Sequence, residues 1–181
     1  MKKYTILFLM GKDRPGSVDD VSTFLFEKGA NIEDSRMAIM GGCFSVMMLF
    51  SCSGEELENI DAGLSELKAL GFETSLHGAL APETAFDAVA FPLKMALTSM
   101  DHPGIVQQVV RILRRYDVNI RSMNTRTASA PLSGAPMFNM VLEGDVPGEK
   151  QVSDVKRELT ALAAEMNMDL DFLSAADDAE T

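Results

Sequence analysis

Residues of similar type recur in this chain at an offset that widens only where loops would lie, and that regularity leaves few folds open. Asp13-Arg14-Pro15-Gly16 and Asp101-His102-Pro103-Gly104 stand 88 positions apart, each between an apolar run and a helical pattern. Gly29-Ala30-Asn31-Ile32 and Asp117-Val118-Asn119-Ile120 keep that offset. Phe44 and Phe138 stand 94 apart, so about six residues enter the second copy between Ser129 and Pro136. Leu57, Ile60, Leu64 and Leu67 find Val152, Val155, Leu159 and Leu162 at 95, and Phe72, Thr74 and Leu76 find Met168, Leu170 and Phe172 at 96. Shifts confined to loops mark a duplicated structural unit.

Within a unit the patterning reads βαββαβ. Tyr4 to Met10 is almost wholly apolar, as expected of a strand buried on both faces. A helix follows with Val18, Val21, Phe24 and Leu25 on one side, and Gly29 ends it. Asn31 to about Ile39 and Phe44 to Phe50 are strands joined by a tight Gly41-Gly42 turn. Ser53-x-x-Glu56 has the form of a capping box and opens a second helix, which Gly71 closes before a last strand at Phe72 to Leu76. The second copy repeats the order, with a strand from Leu93 to Ser99 and a helix carrying Val106, Val109, Val110 and Leu113. The expected architecture is α+β: two ferredoxin-like units, each a four-stranded antiparallel sheet with two helices on one face. Boundaries fall at 1–78 and 92–174, with a linker at 79–91 and an acidic tail at 175–181. The second strand of each unit should lie at a sheet edge, open to pairing with a neighbour. Ile105, Ile112 and Tyr116 widen the apolar arc of the second copy's first helix, which should therefore pack on another helix, most simply the one around Val18 to Leu25.

Charge narrows the functional classes. The net charge is −11, and both halves are acidic, with 7 basic and 14 acidic side chains in residues 1–88 and 9 and 13 in residues 89–181. Such a surface repels nucleic acid and anionic lipid. Arg111, Arg114 and Arg115 share one helix and read as a solvated face. Apolar runs are interrupted too often to span a membrane. Met1-Lys2-Lys3 before an apolar run has a superficial likeness to a secretory leader, but Lys12, Asp13 and Arg14 arrive too soon, so a cytoplasmic protein is expected. Cys43 and Cys52, at opposite ends of one strand, should be two buried free thiols. His77 and His102 lack metal-ligand spacing, and no cofactor is expected. No nucleophile elbow, phosphate loop or paired-histidine motif occurs, so no enzymatic activity is expected.

The doubled Asp-x-Pro-Gly turn has a physical task. Proline presets φ for a first helical turn, glycine lets another backbone or a ligand come close, and the N–H groups beyond lack intrahelical partners and can face an anion. The two turns, the βαββαβ order and the Gly-Ala-Asn-Ile and Asp-Val-Asn-Ile joints together resemble a tandem ACT-domain protein. Asn31-Ile32-Glu33-Asp34-Ser35-Arg36 is similar in wording to the two-ACT regulators of the glycine cleavage repressor family. The resemblance covers all but the linker and the tail.

That resemblance implies a non-catalytic amino-acid sensor, with glycine or serine the expected ligand, held where the strand-to-helix turn meets another ACT unit. The implied ligand-binding residues are Asp13, Gly16, Asn31 and Ile32 in the first copy, and Asp101, His102, Gly104, Asn119 and Ile120 in the second. Backbone N–H donors of the turn would take the ligand carboxylate, and Asp or Asn oxygens its ammonium. It further implies a transcriptional regulator that grips a DNA-binding protein rather than DNA, and a homo-oligomer. The alternative is a ligand-free interaction module, for which Met37, Met40, Met47 and Met48 would supply adaptable contact surface.

Overall fold

The computed structural model describes residues 2–81, 90–131 and 133–173. The chain divides into two compact units, Met1–Asp87 and Ala88–Thr181. The first comprises β1 (Lys3–Lys12), α1 (Ser17–Glu27), β2 (Asn31–Met40), β3 (Cys43–Cys52), α2 (Gly54–Ala69) and β4 (Phe72–Ala79). The second comprises β5 (Phe91–Met100), α3 (Ile105–Arg115), β6 (Asn119–Ser129), β7 (Pro136–Val146), α4 (Glu149–Glu165) and β8 (Asp169–Phe172). Most of the expected linker, 82–89, and the tail from 174 lie outside the described residues.

Each unit forms one antiparallel sheet, ordered β2-β3-β1-β4 and β6-β7-β5-β8. The second strand of each copy is an edge, as its place after the first crossover requires. Alternation decides which face is covered. In the first unit Leu7, Leu9, Phe44, Val46, Met48 and Phe50 point the same way and share one core with Val21, Phe24 and Leu25 of α1 and Ile60, Leu64 and Leu67 of α2. The second unit repeats this with Leu93, Met95, Leu97, Met140 and Leu142 beneath Val109, Leu113, Val155 and Leu159. Ser53 Oγ accepts from the Glu56 N–H while the Glu56 carboxylate accepts from the Ser53 N–H, so both halves of the capping box are made. Gly41 and Gly42 both take positive φ, which the two-residue hairpin turn requires.

Some expectations need correcting. Helices α1 and α3 begin at Ser17 and Ile105, two residues after their prolines, so neither proline lies in a first helical turn. Gly16 (φ 92°, ψ −6°) and Gly104 (φ 98°, ψ −7°) are left-handed N-caps. These angles are those of the third residue of a type II turn, whose second position suits proline, and the Ser17 N–H donates back to the Arg14 carbonyl at 3.3 Å. Cys43 is exposed at the hairpin, and only Cys52 of the two thiols is buried. Val18 is exposed and Val110 only half-buried: the inward stripe of α3 is Ile105, Val109, Ile112 and Leu113, and Val110 is rotated off it around the helix. Ile105 and Ile112 sit in the second unit's own core, and Tyr116 packs against that core while its hydroxyl donates to Glu158 of α4 at 2.6 Å. The three residues that widen the arc of α3 thus find contacts within their own unit.

Candidate functional site

The turn between the first strand and first helix is held from two sides in each unit. The Asp13 N–H donates to the Gly42 carbonyl at 2.9 Å, and the Asp101 N–H donates to the Pro136 carbonyl at 2.9 Å. The start of the helix is therefore tied to the β2–β3 or β6–β7 hairpin. Left-handed glycine then reverses the chain into a helix start whose first N–H groups lack intrahelical acceptors.

In the second unit this corner opens into a recess of about 680 Å³. It is lined by Asp101, His102 and Gly104 of the turn, by Ile105, Val106, Gln107, Val110, Arg111 and Arg114 of α3, and by Phe138 of β7. His102 Nδ1 lies 3.2 Å from the Pro103 carbonyl. A carbonyl only accepts, so Nδ1 carries the proton there and Nε2 is left as an acceptor in the neutral ring.

The corresponding corner of the first unit is furnished differently. Arg14, at the place of His102, turns onto the helix start, where Nη2 is 2.6 Å from Asp20 Oδ2 and the guanidinium stands 5.5 Å from the centre of the Phe72 ring. Asp19 and Asp20 supply negative charge to the first turn of α1, while α3 has Gln107 and Gln108 at those places. Thr23 and Phe26 stand where α3 carries Arg111 and Arg114. The two corners thus share a backbone and differ in charge.

Of the residues singled out in the sequence, Asp13 with Gly16, and Asp101 with His102 and Gly104, come together at these corners. Asn31, Ile32, Asn119 and Ile120 do not join them within the same unit. Asn31 pairs with Ser51, which pairs with Tyr4, so it lies level with the other end of β1. Nine residues of strand, about 30 Å, separate that level from Asp13. Asn119 is likewise level with Asp145 and Pro92.

The Asn pair belongs to a second constellation. A β-bulge interrupts β2 between Ile32 and Asp34 and β6 between Ile120 and Ser122. At the first bulge the Glu33 carboxylate accepts from Ser51 Oγ (2.5 Å), Lys2 Nζ (2.9 Å) and Asn31 Nδ2 (3.2 Å). These donors, Ser51 first, hold its pKa down to about 2. At the second bulge Arg121 Nε lies 3.3 Å from Asp145 Oδ2. The bulge residue reaches across to the neighbouring strand in both units, with opposite charge.

The lining of the recess beyond its rim carries other readings in the sequence, Arg111 and Arg114 as a solvated face and Val106 and Val110 as an apolar stripe, although Gln107, Val110, Arg111 and Arg114 follow Gly104 at helical spacing and share one face of α3. Among the described residues no group of three His, Cys, Asp or Glu side chains is placed to hold a metal ion. No helix among them is long and apolar enough to cross a membrane.

Known proteins are similar to this chain in sequence and fold. Residues 3–77 match the ACT domain family. The glycine cleavage system transcriptional repressor of Escherichia coli (strain K12) is 26% identical over 166 residues, which span 91% of this chain and 86% of that protein. The crystal structure of an unknown protein from Galdieria sulphuraria superposes with a TM-score of 0.80 at 28% identity, covering 95% of this chain and 98% of that one. A crystal structure of a candidate glycine cleavage system transcriptional repressor gives a TM-score of 0.69 at 20% identity over 96% and 99% of the two chains, and shares the fold. Residues 3–77 thus carry the match to the ACT domain family, the second unit repeats the same βαββαβ fold, and the chain resembles the glycine cleavage system transcriptional repressor along nearly its whole length.

Proposed function

We propose that this protein is a cytoplasmic, amino-acid-binding regulator of glycine-cleavage-type metabolism that acts through a protein partner. The observation that carries the reading is the recess at the start of α3, where groups suited to both ends of an amino acid converge. The first N–H groups of the helix take a carboxylate. The Asp101 carboxylate and His102 Nε2 take an ammonium. The full-length likeness to a transcriptional repressor supports the regulatory part, and the net charge of −11 favours a protein over DNA as the direct contact. A ligand at the corner alters regulation by binding one arrangement of the protein more tightly than another.

The test is a melting-temperature scan of the protein against the twenty amino acids at millimolar concentration. A ligand confined to the folded state stabilises it by about 2.7 kcal/mol at a hundred times its dissociation constant, which raises the melting temperature by several degrees. A selective rise that Asp101→Asn removes, with the unliganded melting point kept, is the expected result. A flat scan sinks the reading.

One observation favours the ligand-free alternative. Phe8, Met10, Met40 and Met47 are exposed on the sheet face away from the helices, and Met37 is 54% exposed on β2, although Met48 is buried. A flat scan together with a partner that co-purifies would select this reading.

A further inference from the structure

We propose that the recess of the second unit takes an amino acid bearing a second acidic group, and that Arg111 and Arg114 select it. The inference rests on the amino-acid-binding reading and adds the ligand class.

Arg111 and Arg114 both line the recess, and neither makes an ion pair with a described residue. Their neighbour Arg115, by contrast, is paired with Glu158 of α4. A helix favours cations in its last turn, which accounts for Arg114 and Arg115 without any ligand. It does not account for Arg111, which stands one turn upstream. In a chain with a net charge of −11, two unpaired guanidinium groups on the wall of one recess form a local anion trap.

Spacing sets the shape of the ligand. Six residues separate Ile105 from Arg111, about 9 Å along the axis, and helical side chains lean back toward the N-terminus. The Arg111 guanidinium therefore reaches into the space beside Val106 and Gln107 rather than beyond it. A ligand with its carboxylate on the helix start and its ammonium by Asp101 would extend its side chain along α3, past the apolar Val110 and Phe138, to end at the two arginines. Glycine has no side chain and serine only a neutral hydroxyl, so neither uses the arginine wall. Planar guanidinium matches carboxylate in a two-bonded fork, which an amide cannot reproduce.

The first unit supplies the internal comparison. It carries Thr23 and Phe26 in place of these arginines, and its helix start holds Asp19, Asp20 and an inward-turned Arg14. Where the chain has no use for an outside anion, it provides its own.

The experiment is titration calorimetry of the full chain with L-glutamate, L-aspartate, L-glutamine, L-asparagine, glycine, L-serine and inorganic phosphate, repeated on the Arg111→Gln/Arg114→Gln variant. The expected result is binding of an acidic amino acid at least tenfold tighter than its amide, weakened by added salt. The double variant should lose that tenfold preference while keeping its unliganded melting point, since both arginines are exposed and unpaired. Equal binding of acid and amide, or an unchanged preference in the variant, overturns the proposal. Binding of glycine or serine without the acids overturns it and leaves the amino-acid-binding reading standing. Phosphate binding that depends on the arginines, with no amino acid bound, overturns both.

Discussion

Individual side chains are where the two copies part company. Glu33 gathers three donors at its bulge, and they depress its pKa to about 2 from an ordinary carboxylate value. A carboxyl group with a lowered folded pKa stabilises the fold above its unfolded pKa, near 4.5, and loses that contribution as pH falls toward 2. Glu33→Gln should therefore lower stability at neutral pH and flatten the acid limb between about pH 4.5 and 2, as followed by denaturant titrations across that range. An acid limb identical to that of the parent would show that the cluster does not couple to folding. None of this was legible in the sequence, because Lys2, Asn31, Glu33 and Ser51 meet only through strand register. The left-handed glycines were half legible: Pro-Gly announces a turn, but the sequence did not distinguish a type II turn before the helix from a proline inside it.

At the scale of elements, periodicity and the repeat offset located the twelve strands and helices of the described residues, and the failures are local. Val110 satisfies a 3.6-residue repeat with Val106 and Leu113, yet a stripe one position over buries the bulkier Ile105 and Ile112, and packing decided between them. Helix endings show another limit. Gly29 and Gly71 end α1 and α2 with positive φ, and their counterparts Asp117 (φ 51°) and Asn167 (φ 52°) adopt the same conformation without being glycine. Left-handed backbone costs an L-residue of order 1–2 kcal/mol, less for Asp and Asn. Asp117→Gly should therefore stabilise the second unit by up to about 1 kcal/mol, read as a rise in denaturation midpoint with unchanged slope. A fall in midpoint would mean that the Asp117 side chain contributes more than its backbone costs. The candidate site was legible to a similar depth: the rim at Asp101, His102 and Gly104 carried a motif, whereas the arginine wall had only a helical spacing that a solvated face shares.

For the whole molecule, duplication was the most legible feature, because offsets that change only in loops survive any doubt about single elements. Each unit closes its own sheet over its own helices, with a separate core. Residues 1–81 should therefore fold without the rest of the chain and unfold cooperatively, with a stability of roughly 4–12 kcal/mol by the usual allowance per residue. Far-UV dichroism and a denaturant titration of that segment check this, and a non-cooperative transition would show that the first unit needs the remainder of the chain to fold. The bond from Asp101 to Pro136, like that from Asp13 to Gly42, has a mechanical consequence. It clamps the mouth of the recess to the root of the hairpin that carries the edge strand. The turn at the recess and the strand edge, the part of the sheet most open to a neighbour, therefore share one backbone tie.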